Sequence, residues 1–112
     1  FEDMALNLGF GDRLASVELI NSDGEDIENN DDLLEQLFEA GVRCVKEHKA
    51  HAMILGCTAL EMAAGRLREK FKNAGIPILV LEPYSIALHL AEDLVDMGLS
   101  HSKLTYPSPR EV

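Results

Sequence analysis

The chain has 112 residues, enough for one domain with a modest core. Twenty acidic against ten basic residues give a net charge of −10, which argues against a nucleic-acid partner because phosphate binding needs clustered Lys and Arg. Mean hydropathy near zero and short apolar runs exclude a transmembrane helix and point to a soluble cytoplasmic protein with no membrane partner. The two cysteines, with no secretory signal ahead of them, read as free thiols in a reducing compartment. The chain does not start with Met, so a fragment or a processed product is expected.

Phe1 to Asp12 is weakly patterned. Gly9-Phe10-Gly11 has part of a dinucleotide-binding fingerprint. It lacks the third glycine and precedes the first strand, so the segment reads as a flexible lead-in. Arg13 to Ile20 carries Leu14, Ala15, Val17, Leu19 and Ile20 and reads as a first strand. Asn21 to Asp32 is a polar acidic loop. Its acids miss the fixed offsets of a calcium loop, so a solvated loop is expected.

A helix follows from about Asp32 to His48, with Leu34, Phe38, Val42 and Val45 at helical spacing. Asp32 and Glu35 have capping-box spacing, and Lys46, His48 and Lys49 suit the negative end of the dipole. Cys44, beside Val45, reads as a buried structural thiol. His48 and His51 pair with no cysteine at zinc-site spacing, so no metal site is expected. Ala52 to Leu55 is the second strand. A helix then runs to about Lys72 with Leu60, Ala63, Ala64, Leu67 and Phe71 on one face, and Asn73-Ala74-Gly75 ends it.

Ile76 to Leu81 is the third strand, with Pro77 tolerated at its start. Glu82-Pro83 makes the next turn. The last helix spans about Tyr84 to Met97, with Ile86, Ala87, Leu90, Ala91 and Leu94 inward, His89 outward, and Gly98 as the stop. Leu99 to Pro107 has no helical period and reads as a short edge strand or a pairing arm. The alternation of strand and helix predicts a three-layer α/β sandwich with a parallel sheet. Residues 1–98 form its body and 99–112 an arm.

Between the second strand and its helix lies Leu55-Gly56-Cys57-Thr58. This is where open α/β sheets place their chemistry. Thr58 and Glu61 have the T-x-x-E spacing of a capping box, which makes Thr58 the expected N-cap. Cys57 then sits beside unpaired backbone N–H groups and the positive end of the helix, where a thiolate is favoured. Glu61 opposes it with a like charge. The alternative for Cys57 is a small buried residue at a tight turn.

The sequence resembles the second half of an Asp/Glu/hydantoin racemase superfamily protein. The resemblance rests on Gly11-Asp12-Arg13-Leu14-Ala15-Ser16-Val17, Ile54-Leu55-Gly56-Cys57-Thr58, Pro77-Ile78-Leu79-Val80-Leu81-Glu82-Pro83, Ala87-Leu88-His89-Leu90-Ala91 and Gly98-Leu99-Ser100-His101-Ser102-Lys103. The tail is similar to the hydantoin-racemase-like branch, which includes proteins labelled as hydrogenase expression factors. The resemblance implies a cofactor-independent racemase of amino acids or their derivatives, acting on a small carboxylate or hydantoin substrate. Two similar domains would each contribute one cysteine, one thiolate removing the α-proton and one thiol returning it to the opposite face.

Carried over by position, Cys57 matches the second-domain catalytic cysteine. Thr58 matches a substrate-carboxylate contact, and Ala59 offers its backbone N–H. Ala59 stands where glutamate racemases usually have histidine, which disfavours that branch. Glu82 stands where aspartate is common. The resemblance also implies that these residues lack a first domain, so that the chain alone is inactive. Activity then needs that domain or another chain, such as a homo-oligomer partner, and the arm packs on it. The alternative is a non-catalytic accessory or binding domain that keeps the fold.

Overall fold

The computed structural model describes residues 1–21 and 30–109. Helix α1 (Glu2–Asn7) and a 3-10 turn (Gly11–Arg13) open the chain. They are followed by α2 (Asp31–His48), β1 (Ala52–Ile54), a second 3-10 turn (Thr58–Leu60), α3 (Glu61–Asn73), β2 (Leu79–Leu81) and α4 (Pro83–Asp96). The fold is α/β with a parallel sheet, as expected. The calcium-loop question falls largely on residues 22–29, outside the described residues.

Helix α2 begins one residue before the expected position. The Asn30 side chain accepts the Leu33 N–H at 2.8 Å, so Asn30 is the cap rather than Asp32. Asparagine caps as well as aspartate, and this start puts both Asp31 and Asp32 in the first turn, at the positive end of the dipole. Glu35, freed from a capping box, pairs with Lys70 of α3, and Asp31 pairs with Arg66. The buried stripe of α2 is Leu33, Leu37, Ala40, Gly41 and Cys44. Leu34, Phe38 and Val42 flank it and pack against the core from the side. The apolar surface is wider than one row, so the expected row of Leu34, Phe38, Val42 and Val45 is its rim rather than its centre.

The core joins Leu33 and Leu37 of α2, Leu55, Ala63, Ala64, Leu67 and Phe71 of α3, and Val80 of β2. This confirms the face read for α3, with Leu60 half-buried at its start. Phe71 meets Phe38 with ring centroids 5.0 Å apart, and the Lys70 ammonium stands over the Phe38 ring. Gly75, at φ +68°, turns the chain out of α3, a conformation that glycine adopts without strain.

Strands β1 and β2 pair in parallel, Met53 opposite Val80, and α3 is the crossover between them. Met53 and Val80 face the helices. Ala52, Ile54 and Leu79 lie on the other face and are exposed.

Other expectations are corrected as well. Arg13 to Ile20 forms no strand. A strand needs a backbone partner, and this segment instead runs against α2. Ser16 Oγ lies 3.3 Å from Cys44 Sγ, and Arg43 donates to Glu18 at 3.0 Å. The third strand is limited to Leu79–Leu81. Its predicted beginning, Ile76-Pro77-Ile78, is spent on leaving α3: Ile76 N–H donates to Phe71 O and Ile78 N–H to Ile76 O. Helix α4 buries none of its residues. Ile86, Ala87, Leu90, Ala91 and Leu94 are exposed, because no described element covers that face. Residues 99–109 are exposed and contain no strand.

Two glycines make opposite predictions for one substitution. A methyl at Gly41 would overlap the Phe71 ring and lie 3.2 Å from Met53 Sδ, so Gly41→Ala should cost about 1–3 kcal/mol by overpacking. A methyl at Gly65 meets nothing within 4 Å, so Gly65→Ala should stabilise by roughly 0.5–1 kcal/mol through helix propensity. Urea denaturation of the two variants checks both signs.

Candidate active site

Parallel pairing brings the carboxyl ends of β1 and β2 to one edge. The Leu55 N–H donates to Leu81 O at 2.9 Å, so the next residues of both chains leave the sheet together. From β1 come Gly56 and Cys57, and from β2 comes Glu82. Gly56 is small for a reason: an added Cβ would sit 2.7 Å from the Phe1 ring, which rests against the backbone there.

Cys57 is exposed. Its backbone is extended, φ −127° and ψ 132°, and it is the N-cap of the 3-10 turn Thr58–Leu60. The Leu60 N–H donates to its carbonyl at 3.0 Å. Thr58 and Ala59 are exposed on the same turn. The three residues singled out in the sequence are therefore together at the edge where the strands end. The expected capping box is not formed. Helix α3 starts at Glu61 with Leu60 as its cap, and no side chain caps it. Thr58 instead opens the inserted 3-10 turn, where its carbonyl rather than its side chain accepts the Glu61 N–H. The reading of Cys57 as a small buried residue is overturned by its exposure.

Cys44 is buried on α2 beside Ser16, as expected of a structural thiol. His48, His51 and His89 are exposed. Among the described residues no group of three or more His, Cys, Asp or Glu side chains is placed to hold a metal ion. No described helix is long and apolar enough to cross a membrane. Two surface concavities among the described residues lie elsewhere, one along Ser85, Ile86, His89, Leu90 and Asp93 of α4, the other between Phe1 to Asp3 and Val17 and Leu19. Both are open, and neither is lined by Cys57.

Directly after β2 lies a polar group that periodicity did not reveal. Glu82 is buried. It caps α4 by accepting the Ser85 N–H at 3.0 Å, with Pro83 at the first helical position. Arg68 Nη2 lies 3.7 Å from its other oxygen, while Arg68 Nε donates to Val80 O at 3.1 Å. The Ser85 hydroxyl donates to Glu61 Oε1 at 3.2 Å. The available signal was Glu82-Pro83-Tyr84-Ser85, whose acceptor, proline and i,i+3 serine are the parts of a helix start.

The sequence model of the Asp/Glu/Hydantoin racemase family matches residues 1–91. The chain belongs to this family. Two curated relatives align along nearly all of it. A hydantoin racemase from Pseudomonas sp. (strain NS671) is 30% identical over 112 residues, covering 98% of the chain and 43% of the relative. A hydantoin racemase from Paenarthrobacter aurescens is 32% identical over 111 residues, covering 97% and 45%. The chain thus spans less than half the length of these racemases. No solved structure gives a significant match. Of the two cysteines in this member of the racemase family, Cys57 is exposed and Cys44 is buried.

Under native conditions one thiol per chain should therefore react rapidly with a disulfide reagent, and a second only on unfolding. The Cys57→Ser variant should lose the fast phase. Equal rates for both thiols would contradict the assignment.

Proposed function

We propose that this chain supplies one acid/base thiol of a racemase acting at the carbon α to a carbonyl, on an amino acid or a derivative such as a 5-substituted hydantoin. The observation that carries the reading is the exposed Cys57 on the turn at the carboxyl edge of the parallel strands, in a chain of a racemase family.

The Cys57 thiolate takes the α-proton and becomes a thiol, and the electron pair left on carbon delocalises onto the carbonyl oxygen. The backbone N–H groups of the Thr58-Ala59 turn and the Thr58 hydroxyl are suited to hold that oxygen. The carbonyl is itself the electron sink, so this chemistry asks for no cofactor. Inversion requires a proton from the opposite face, because a single base returns it to the face it left. Cys44 is buried on α2 and cannot serve. The second group therefore comes from beyond these residues, in the same polypeptide or another chain. In this reading residues 1–98 are the second unit of a two-unit enzyme. Residues 99–112 are an arm that reaches the other unit, in keeping with the exposure of 99–109.

The test is polarimetry on resolved amino acids and 5-substituted hydantoins with the longest polypeptide that carries these residues. Cys57→Ser should lower the racemisation rate by about 100-fold or more with the fold unchanged by circular dichroism. Racemisation unaffected by Cys57→Ser, or absent for every substrate, would instead favour an accessory role.

A further inference from the structure

Helix α4 has no buried residue, so apolar packing does little to fix it. What joins its start to the start of α3 is polar. Ser85 gives both of its donors to carboxylates on different elements. Its N–H goes to Glu82 Oε2 at the end of β2, and its hydroxyl goes to Glu61 Oε1 at the start of α3. Glu82 is buried and has Arg68 Nη2 at 3.7 Å, so it is fixed from both sides. Glu61 is half-buried and follows Cys57 by four residues, one turn on. Ser85 is therefore the bolt between the two strand-to-helix turns that meet at this edge of the sheet.

We propose that Ser85 is a positioning residue for Cys57: its hydroxyl holds the Glu61 carboxylate against α4, so that this negative charge does not swing toward the thiol, and it ties the Cys57 turn to the Glu82 turn. The inference rests on the reading of Cys57 as the working thiol. Its chemistry is nonetheless a property of the thiol and is measurable without turnover. The physical basis is like-charge repulsion. A freed carboxylate one turn from Cys57 disfavours the thiolate, the form that attacks electrophiles. The hydrogen bond to a charged acceptor is the kind that holds such a group in place.

The experiment measures the alkylation rate of Cys57 by iodoacetamide at fixed pH and low ionic strength. Mass spectrometry separates Cys57 from Cys44, and thermal unfolding reports the fold. Ser85→Ala should slow alkylation about threefold, the scale of a screened charge pair. Ser85→Thr, which keeps a hydroxyl, should stay within about twofold of the parent. Adding Glu61→Gln to Ser85→Ala should restore the parental rate, because the amide carries no charge. A purely structural role would not be relieved by removing that charge. Should Ser85→Ala fail to fold, Ser85→Val and Ser85→Thr, alike in shape and differing by the hydroxyl, carry the same comparison.

An unchanged rate in Ser85→Ala, or a slowing that Glu61→Gln does not relieve, overturns the proposal. That result is separable from failure of the racemase reading. If Cys57 alkylation follows the prediction while no substrate racemises, the positioning role stands and the function falls. If racemisation depends on Cys57 while alkylation ignores Ser85, the function stands and the positioning role falls.

Discussion

The parallel pairing of Ala52–Ile54 with Leu79–Leu81 is the constraint on which the rest of the site depends. A parallel pair cannot be closed by a tight turn, and here α3 makes the crossover. That helix must bury a continuous face, and Ala63, Ala64, Leu67 and Phe71 provide it against Leu33 and Leu37 of α2. Once α3 is seated, both strands point the same way and end at the same edge. Cys57 and Glu82 thereby follow strand ends on one edge although 25 positions separate them in sequence. The placement of the candidate site is thus a consequence of how a short crossover packs.

The core of this unit was legible because its signals are local and repeated. The spacing of Ala63, Ala64, Leu67 and Phe71 has one helical solution, and Gly75 ends it where a left-handed residue is required. The strands flanking α3 were legible for the same reason. Arg13 to Ile20 was misread as a strand because an extended, alternating sequence says nothing about whether a partner strand is present. Ser16 and Glu18 turn to α2 instead. The apolar face of α4 was read correctly as apolar and wrongly as buried. Burial is a statement about a neighbour, and the described residues offer none.

The candidate site divides along the same line. Cys57, Thr58 and Ala59 were accessible to sequence reasoning, since a cysteine between a strand and an amphipathic helix has few places to go. The capping box was not, because a 3-10 turn of three residues shifts the helix start and leaves the spacing intact. Arg68 and the Ser85 hydroxyl were not legible, since they act across elements, on Glu82 and Val80 O and on Glu61 respectively. The two cysteines show how one residue type serves two ends. Cys44 fills space on α2 beside a serine hydroxyl, while Cys57 is exposed at the start of a 3-10 turn.

The central claim is that Cys57 works one face of a planar intermediate. Its most direct measurement is α-hydrogen exchange in D2O, followed by proton NMR for each enantiomer of a substrate separately, in the parent polypeptide and in Cys57→Ala. The account predicts that the parent exchanges both enantiomers and inverts them. Cys57→Ala should stop inversion and end exchange from the one enantiomer whose proton Cys57 removes. Continued exchange and inversion of both enantiomers in Cys57→Ala would contradict it.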